Sequence, residues 1–491
     1  MSISATFANA LSGLTATRRL ADVTANNLAN ALTEGYGRQS VDLSSAVLEG
    51  RGVGVSVTGV SRASAPDITA ARRKADGDAA TFGAQASALE RLGRSLGEAT
   101  DEDSLFVRLE EFEAGLRALA DTPESGPRQT QTVEAAKDLV QRLNNLSQEA
   151  ATVRANADGE IAKQVQTVNR NLARIDELNA TIVRLGAGGR DVATLIDERE
   201  RLIDEVSASI PARVHLQDDG SVFLTTTSGL FLLQEQPADL QFTPSPIITA
   251  PMTYDPAGTG ALSGLTLAGI DITPSNTHPQ RLTEGGIAGN FIVRDDIGTE
   301  FDSRIDQFAA DLIARFEDPA VDPTLAAGDP GLFTDGVAAL DLTIVEGLAG
   351  RIAVNALADP AQGGDPTRLR DGLQSAGPGP AGSDTIPRAL LDTLTAGRPS
   401  TAIPGLVGNL SAAQMISGIT EATGIRRTSA EAELASLTGA RETIALTEAR
   451  EIGVDTDAEL QELIQIEQAF AANIQVIQAA SRMLEQITEI R

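Results

Sequence analysis

"TANNLANALTEGYGRQS", residues 24–40, decides how the chain is read. Asn26, Asn27 and Asn30 fall within five residues of what otherwise reads as a helix, and a Gly-Tyr-Gly turn follows. Asparagine is a poor helix former, because its side chain competes for backbone hydrogen bonds. Upstream, Ile3, Phe7, Ala10, Leu14, Thr17, Ala21, Thr24, Leu28 and Ala31 recur at alternating steps of four and three. Leu11, Ala25 and Leu32 form a neighbouring stripe. The spacing predicts an amphipathic helix with one broad face of small and medium side chains. Asn26 and Asn30, four apart, share a flank of that face, and Asn27 lies beside Asn30. The pattern stops at Gly35 and Gly37, and Val53, Val55 and Val57 then predict a short strand. Tyr36 is placed to pack its ring on the helix while its hydroxyl reaches a polar partner.

The other end of the chain is patterned in the same way. Leu463, Ile466, Phe470, Asn473, Ile477, Ala480, Leu484 and Ile487 step by three and four, a heptad seam ending at the C-terminus. A lone amphipathic helix is only marginally stable in water. The simplest arrangement pairs the first helix with the last, parallel or antiparallel. Asn473 and the asparagine trio then fix the register at some cost in stability. The alternative for the trio is local: Asn27 or Asn30 caps or ends the helix.

Between the ends, long helices are predicted from about Asp67 to Ile210. Leu105, Leu109, Phe112, Leu116 and Leu119 form one stripe there. Ile161, Val165, Val168, Leu172, Ile175 and Ile182 form another, with Asn179 in the missing place. "ARVHLQDDGSVFLTTTSGLFLLQ" alternates and turns at Asp218–Gly220, the pattern of a hairpin. "ALDLTIVEGLAG", residues 339–350, predicts an extended piece. The expected fold class is multidomain α+β: long N- and C-terminal helices forming a coiled-coil-like core, an α-helical bundle domain, and one or two outer mainly-β domains. The expected divisions are an N-terminal assembly helix and turn region at 1–66 and a long-helix bundle at 67–210, with 287–318 and 406–450 packing on it. A β-rich outer domain at 211–286, a variable insertion at 319–405 and a C-terminal assembly helix at 451–491 complete them.

Composition narrows function. The 491 residues carry a net charge of −29, which repels a nucleic-acid backbone. With no cysteine, disulfides, thiol nucleophiles and thiolate metal sites are excluded. The two histidines, His215 and His278, are read as surface residues, so no metal is expected. The first residues lack the features of a cleaved signal peptide, and no 18-residue apolar run predicts membrane insertion. No phosphate-binding glycine motif or nucleophile–base arrangement stands out, so neither an enzyme nor a cofactor is expected. "LIDERERL", with Asp197 and Glu198, reads as an ordinary solvated helix face. Pattern alone leaves two readings open: ends that close a monomeric helical domain, or ends that assemble with other copies.

The two ends resemble the signatures of the bacterial flagellar rod, hook and hook-associated axial proteins. Asn26, Asn27, Asn30, Thr33, Gly35, Tyr36, Arg38 and Gln39 match the N-terminal signature. Gly453, Val454, Glu459, Leu463, Gln468, Ala469, Phe470, Ala472, Asn473 and Val476 match the C-terminal one. Residues 109–147 and 175–207 are similar to the helical segments of the hook-associated members at the hook–filament junction. Glu200 stands where those members carry Asp, and Phe470 where Tyr is common.

The resemblance implies a structural subunit that self-assembles into an axial ring through coiled-coil packing of its terminal helices. Its implied partners are the hook protein, the second junction protein, and an export chaperone with the type III export apparatus. Its implied location is the flagellum outside the cell, reached without a cleaved signal. The assembly interface is then expected to use Phe7, Leu11, Leu14, Asn26, Asn27, Leu28, Asn30 and Tyr36 at one end. At the other it uses Leu463, Ile466, Phe470, Asn473, Ile477, Leu484 and Ile487. The rivals are another axial component such as the hook protein, whose interior is mainly β, and an unrelated soluble coiled-coil scaffold.

Overall fold

The computed structural model describes residues 3–33, 35–48, 51–98, 100–188 and 190–489. Helix α1 (Ile3–Asn30) is followed by strands β1 (Gln39–Leu48) and β2 (Arg51–Arg62). Helices α2 (Pro66–Leu96), α3 (Leu105–Asp121), α4 (Gly126–Ala187) and α5 (Ala193–Ser209) come next. Short strands β3 (Ala212–Leu216), β4 (Val222–Thr226), β5 (Phe231–Leu233), β6 (Leu240–Gln241), β7 (Thr266–Leu267) and β8 (Ile270–Asp271) lead to α6 (Gly286–Ile292) and α7 (Gly298–Phe316). Then come β9 (Phe333–Asp335), β10 (Ile352–Val354), α8 (Arg368–Asp371), α9 (Thr385–Thr395), β11 (Arg398–Pro399) and β12 (Asn409–Leu410). Two long helices, α10 (Ala412–Ile452) and α11 (Thr456–Glu489), end the chain. The architecture is multidomain α+β, with long terminal helices and small antiparallel sheets.

The chain divides into two compact units. The first comprises Met1–Ala79, Gln166–Leu240 and Ser436–Arg491; the second comprises Ala80–Val165 and Gln241–Ala435. In the second unit the stripe Leu105, Leu109, Phe112, Leu116 and Leu119 of α3 is fully buried. Ser104 caps that helix by accepting a hydrogen bond from the Val107 N–H. The Phe112, Phe316 and Phe333 rings cluster with centroids 4.9–5.9 Å apart, joining α3, α7 and β9. Two buried arginines fix the adjoining loop. Arg154 donates to the carbonyls of Thr249, Ala250, Met252 and Arg294, and Arg294 pairs with Asp158 at 2.7 Å. These backbone and carboxylate acceptors satisfy the guanidinium donors away from water.

Residues 339–350 do not extend. Asp341 accepts from both the N–H and the hydroxyl of Thr343, Gly347 has φ +78°, and Leu348–Gly350 form a 3-10 turn. The flanking strands β9 and β10 pair antiparallel instead, Phe333 opposite Val354. An aspartate two residues before a threonine outweighs the β-branched content, because its side chain supplies the turn's hydrogen bonds.

In the first unit the strand around Val53–Val57 lies within β2, and β1 pairs with it antiparallel from Gln39↔Arg62 to Leu48↔Arg51. The serine-rich β1 shows no clear alternation in sequence; two register shifts along this pair explain why. On α4 the positions Val168, Leu172, Ile175 and Ile182 are buried, and Asn179 is buried with them. Its amide donates to the Val222 carbonyl at 2.8 Å and accepts from the Val222 N–H at 3.2 Å. The polar residue in the seam therefore serves as the ladder partner for one residue of β4. The hairpin β3–β4 forms as the alternation predicts, Ala212 opposite Thr226 and Leu216 opposite Val222.

Candidate assembly interface

Helices α1 and α11 lie against each other antiparallel. Gly13 faces Asn473, and Asn27 faces Glu459, so two heptads separate the contacts on each helix. A Cβ on Gly13 would lie 2.8 Å from Asn473 Oδ1, so the absence of a side chain makes the notch that seats the amide. The buried side of α1 is made of Ala10, Ala16, Thr17, Val23, Thr24 and Asn27. On α11, Glu459, Ile466 and Ala480 are buried. The β1–β2 hairpin seats on the same helix. Gly54 has φ +113° and sits so close to Ser12 that any side chain would clash, while Ser12 Oγ accepts from the Val55 N–H at 3.1 Å.

Asn27 is the hub. Its Nδ2 donates to the Gln39 carbonyl at 2.8 Å and to Glu459 Oε2 at 3.1 Å. Its Oδ1 accepts from the Gln39 N–H at 2.9 Å and from the Tyr36 hydroxyl at 2.8 Å. Every hydrogen-bonding site of the amide is used. Glu459 is itself fully buried and also takes Arg38 Nε at 2.6 Å, while Arg38 Nη2 reaches Glu462 at 3.0 Å. The Arg38 N–H donates to the Ile452 carbonyl at 2.8 Å. Burial, with Asp197, Glu459 and Asp191 nearby, pushes the Tyr36 phenol up to about 12, so it remains a donor. The asparagine and Gly-Tyr-x-Arg-Gln elements of one end and Glu459 of the other are thus one clasp.

The two remaining asparagines act differently. Asn30 Nδ2 donates to the Asn26 carbonyl and to Asn26 Oδ1, both at 2.9 Å, and Thr33 Oγ1 donates to Asn30 Oδ1. That is local finishing of a helix end, whereas Asn27 works between elements.

Helix α5 supplies a second set of contacts, and here the solvated reading of Asp197 fails. Asp197 is largely covered; it accepts from Arg62 Nε at 2.5 Å and from the Gly37 N–H at 3.2 Å. Burial pushes its carboxyl up, against the pull of Arg62. Asp191, just before the helix, takes Arg19; further along, Glu200 takes Arg73 and Asp204 takes both Arg72 and Arg73, all at 2.6–2.8 Å. Glu198 lies on the outer side and pairs with Arg174 at 2.9 Å. The sequence shows acidic residues at three- and four-residue steps but not the scattered arginines that meet them.

The residues singled out in the sequence fall into three groups. Asn27 and Ile466 are buried; Phe7, Leu14, Asn30, Tyr36, Leu463, Asn473 and Ile477 are half-buried. Leu11, Asn26, Leu28, Phe470 and Leu484 are exposed, Leu11 at 59% and Phe470 at 42%. The side chain of Ile487 lies outside the described residues. The broad apolar face of α1 is therefore split: its Ala10–Thr17–Thr24 stripe turns inward, and the Leu11–Ala25–Leu32 stripe turns outward. Arg38, Glu459 and Glu462, which close the clasp, are contact residues that periodicity does not find, because charge carries no seam signal.

Residues 89–329 match the family described as flagellar hook-associated protein FlgK helical domain. Over that segment, just under half of its length, the chain is similar to the hook-associated protein FlgK family. Its ends match two further descriptions: flagella basal body rod protein over residues 7–36, and flagellar basal body rod FlgEFG protein C-terminal over residues 451–490. Flagellar hook-associated protein 1 of Escherichia coli (strain K12) is 26% identical over 292 residues, which is 58% of this chain and 51% of that protein. Flagellar hook-associated protein 1 of Bacillus subtilis (strain 168) is 27% identical over 228 residues, 44% of this chain and 45% of that protein. The chain thus spans about half the length of the curated relatives it matches. Among solved structures, the flagellar hook junction protein FlgK from Burkholderia pseudomallei is similar over 55% of this chain and 47% of its own, with 15% identity and a TM-score of 0.43.

Proposed function

We propose that this chain is a structural subunit of the hook–filament junction, built into an axial ring by its terminal helices rather than acting as an enzyme. The observation that carries the reading is the half-finished burial of α1 and α11. Their contact covers small side chains, while Leu11, Leu28, Leu32, Leu460, Ile464 and Phe470 stay exposed. Each such apolar side chain contributes roughly 1.5–3 kcal/mol when fully removed from water. Electrostatics agrees. The chain carries −29, yet α1 holds only Arg18, Arg19 and Asp22, and α11 between Leu463 and Leu484 holds only Glu467 and Arg482. Copies that repel elsewhere can approach there.

Repetition of one heterologous contact about an axis gives directional growth. The hook protein is then the partner on one side and the second junction protein on the other. Delivery runs through an export chaperone and the type III apparatus, to a position in the flagellum outside the cell. The helical segment at 89–329 favours this reading over a hook protein, whose interior is expected to be mainly β.

Incorporation onto isolated hooks, followed by electron microscopy, tests it. Leu463→Asp and Phe470→Asp each place an unpaired charge in the seam and block incorporation. Incorporation equal to that of the parent chain defeats the proposal.

A further inference from the structure

Residues 243–252, in the second unit, form a loop that cannot build a ladder of its own. Pro244, Pro246 and Pro251 have no N–H to give. Of its two isoleucines, Ile248 is buried and Ile247 is 71% exposed. Thr243 bonds with Ser263 at one end. Helix α4 anchors the rest. The Ser245 N–H donates to Asp158 Oδ2 at 2.7 Å. Arg154 donates from Nη1 to the Thr249 and Ala250 carbonyls at 3.2 and 3.3 Å, and from Nη2 to the Met252 carbonyl.

That arginine has a rival acceptor beside it. Asp302 on α7 is 3% exposed, and neither of its oxygens accepts a hydrogen bond. Arg154 Nη1 stands 3.7 Å from its Oδ2, too far for one. Asp306, one turn on, is by contrast satisfied by the N–H groups of Gly347 and Ala349 at 2.6 and 2.8 Å. A neutral carboxyl tolerates the Asp302 position; a buried carboxylate left without a partner does not.

The surrounding charges single out Arg154. Asp306 on the same helix and Arg154 on α4 act on Asp302 directly. Arg294 and Asp295, in the π turn Val293–Ile297, act on Arg154. Arg294 already pairs with Asp158 and Asp295, each at 2.7 Å. Glu346 and Arg351 act on Asp306, and Arg351 pairs with Asp335 at 2.5 Å. Arg154 is therefore the cation placed to answer Asp302. Its shaft lies so close to Gly298, one turn before Asp302, that a side chain there would clash.

We infer that Arg154 is a proton-operated latch for the 243–252 loop. With Asp302 protonated, the guanidinium holds the loop carbonyls. When that proton passes to solvent, Nη1 leaves the Thr249 and Ala250 carbonyls for the carboxylate, because a charge-assisted pair outweighs bonds to neutral carbonyls. Burial and Asp306 push the Asp302 carboxyl up to about 7, so the loop is held below neutral pH and loosened above it. The latch lies within the second unit and does not depend on assembly.

Because the chain has no cysteine, Ile247→Cys takes a single nitroxide label on the loop. Its paramagnetic resonance spectrum is expected to be mostly slow at about pH 5.5. By about pH 8.5 a fast component should carry at least half of the intensity, with the midpoint near 7. Asp302→Asn keeps the shape of the side chain and has no proton to lose, so the labelled variant is expected to stay slow at both values. A label at Val407→Cys, 82% exposed elsewhere in the unit, is expected not to respond. A spectrum of the Ile247 label that does not change with pH overturns the inference, and this series leaves the buried cluster untouched. A change that persists in Asp302→Asn, or that the Val407 label shares, overturns it as well.

Discussion

The helical core of the second unit and the α1–α11 pair of the first are both built on heptad-like stripes, yet they close differently. In the former, Leu109, Phe112, Leu116, Phe308, Leu312 and Phe316 are completely buried. In the latter, alanine, threonine and glycine face inward, and the larger aliphatics Leu11 and Leu32 face outward. A stripe of large side chains closes when the chain supplies both walls. The terminal helices supply one wall each and leave a second side open. Alanines bury little area, so the pair depends on the polar clasp of Asn27, Arg38 and Glu459 to a degree that the phenylalanine core does not.

Four measurements press on that contrast. The largest effect is expected from deleting residues 456–491. Incorporation onto hooks is abolished, while circular dichroism still shows the cooperative melting of the second unit. Normal incorporation by the truncated chain would contradict the division of labour.

Next comes Asn27→Leu, which leaves Glu459 and the Gln39 backbone buried with fewer partners. A loss of about 3–5 kcal/mol is expected in the first unit's denaturant transition. Asn26→Leu, at an exposed site, should change it by less than about 0.5 kcal/mol. Equal effects of the two substitutions would show that the clasp does not hold the pair.

A pH effect separates the units further. In the second, Asp302 is held up to about 7, mainly by burial and then by Asp306, with Arg154 offsetting. Asp306 is held up to about 6 by burial, against the N–H groups of Gly347 and Ala349. Neither oxygen of Asp302 accepts a hydrogen bond, and Arg154 stands 3.7 Å away. Unfolded aspartates titrate near pH 4. From there to about 7 the folded unit binds more protons than the unfolded chain, so its stability falls as pH rises through that window. The slope approaches roughly 1.4 kcal/mol per pH unit for each group. Asp302→Asn should flatten it and raise the melting temperature at pH 8; an unchanged slope would refute the assignment. The smallest stability effect, within about 0.5 kcal/mol, is expected for Leu32→Ser. Reduced incorporation should accompany it, and parent-like incorporation would show that the outward stripe is idle.

The sequence made particular things legible. The stripes of α1, α3, α4 and α11 are visible because helical burial has a period, and the periods at 105–119 and 161–182 coincide with buried side chains. Asn179 already stood out as the odd residue in its seam. Other features carried no such mark. Strand β1 hid behind serines and two register shifts. Residues 339–350 looked extended until Asp341 and Gly347 turned them. Asp197 looked solvated because nothing local indicates that Arg62, far along the chain, will cover it.

By itself, the sequence determined that both ends are amphipathic helices with asparagines set into them, since spacing and side-chain type are local properties. Tertiary structure alone decided that the helices run antiparallel, that Asn27 and not Asn26 or Asn30 joins the two ends, and which half of each apolar face stays open. Those outcomes depend on groups hundreds of residues apart meeting at hydrogen-bond distance, and no period along a chain encodes such a meeting.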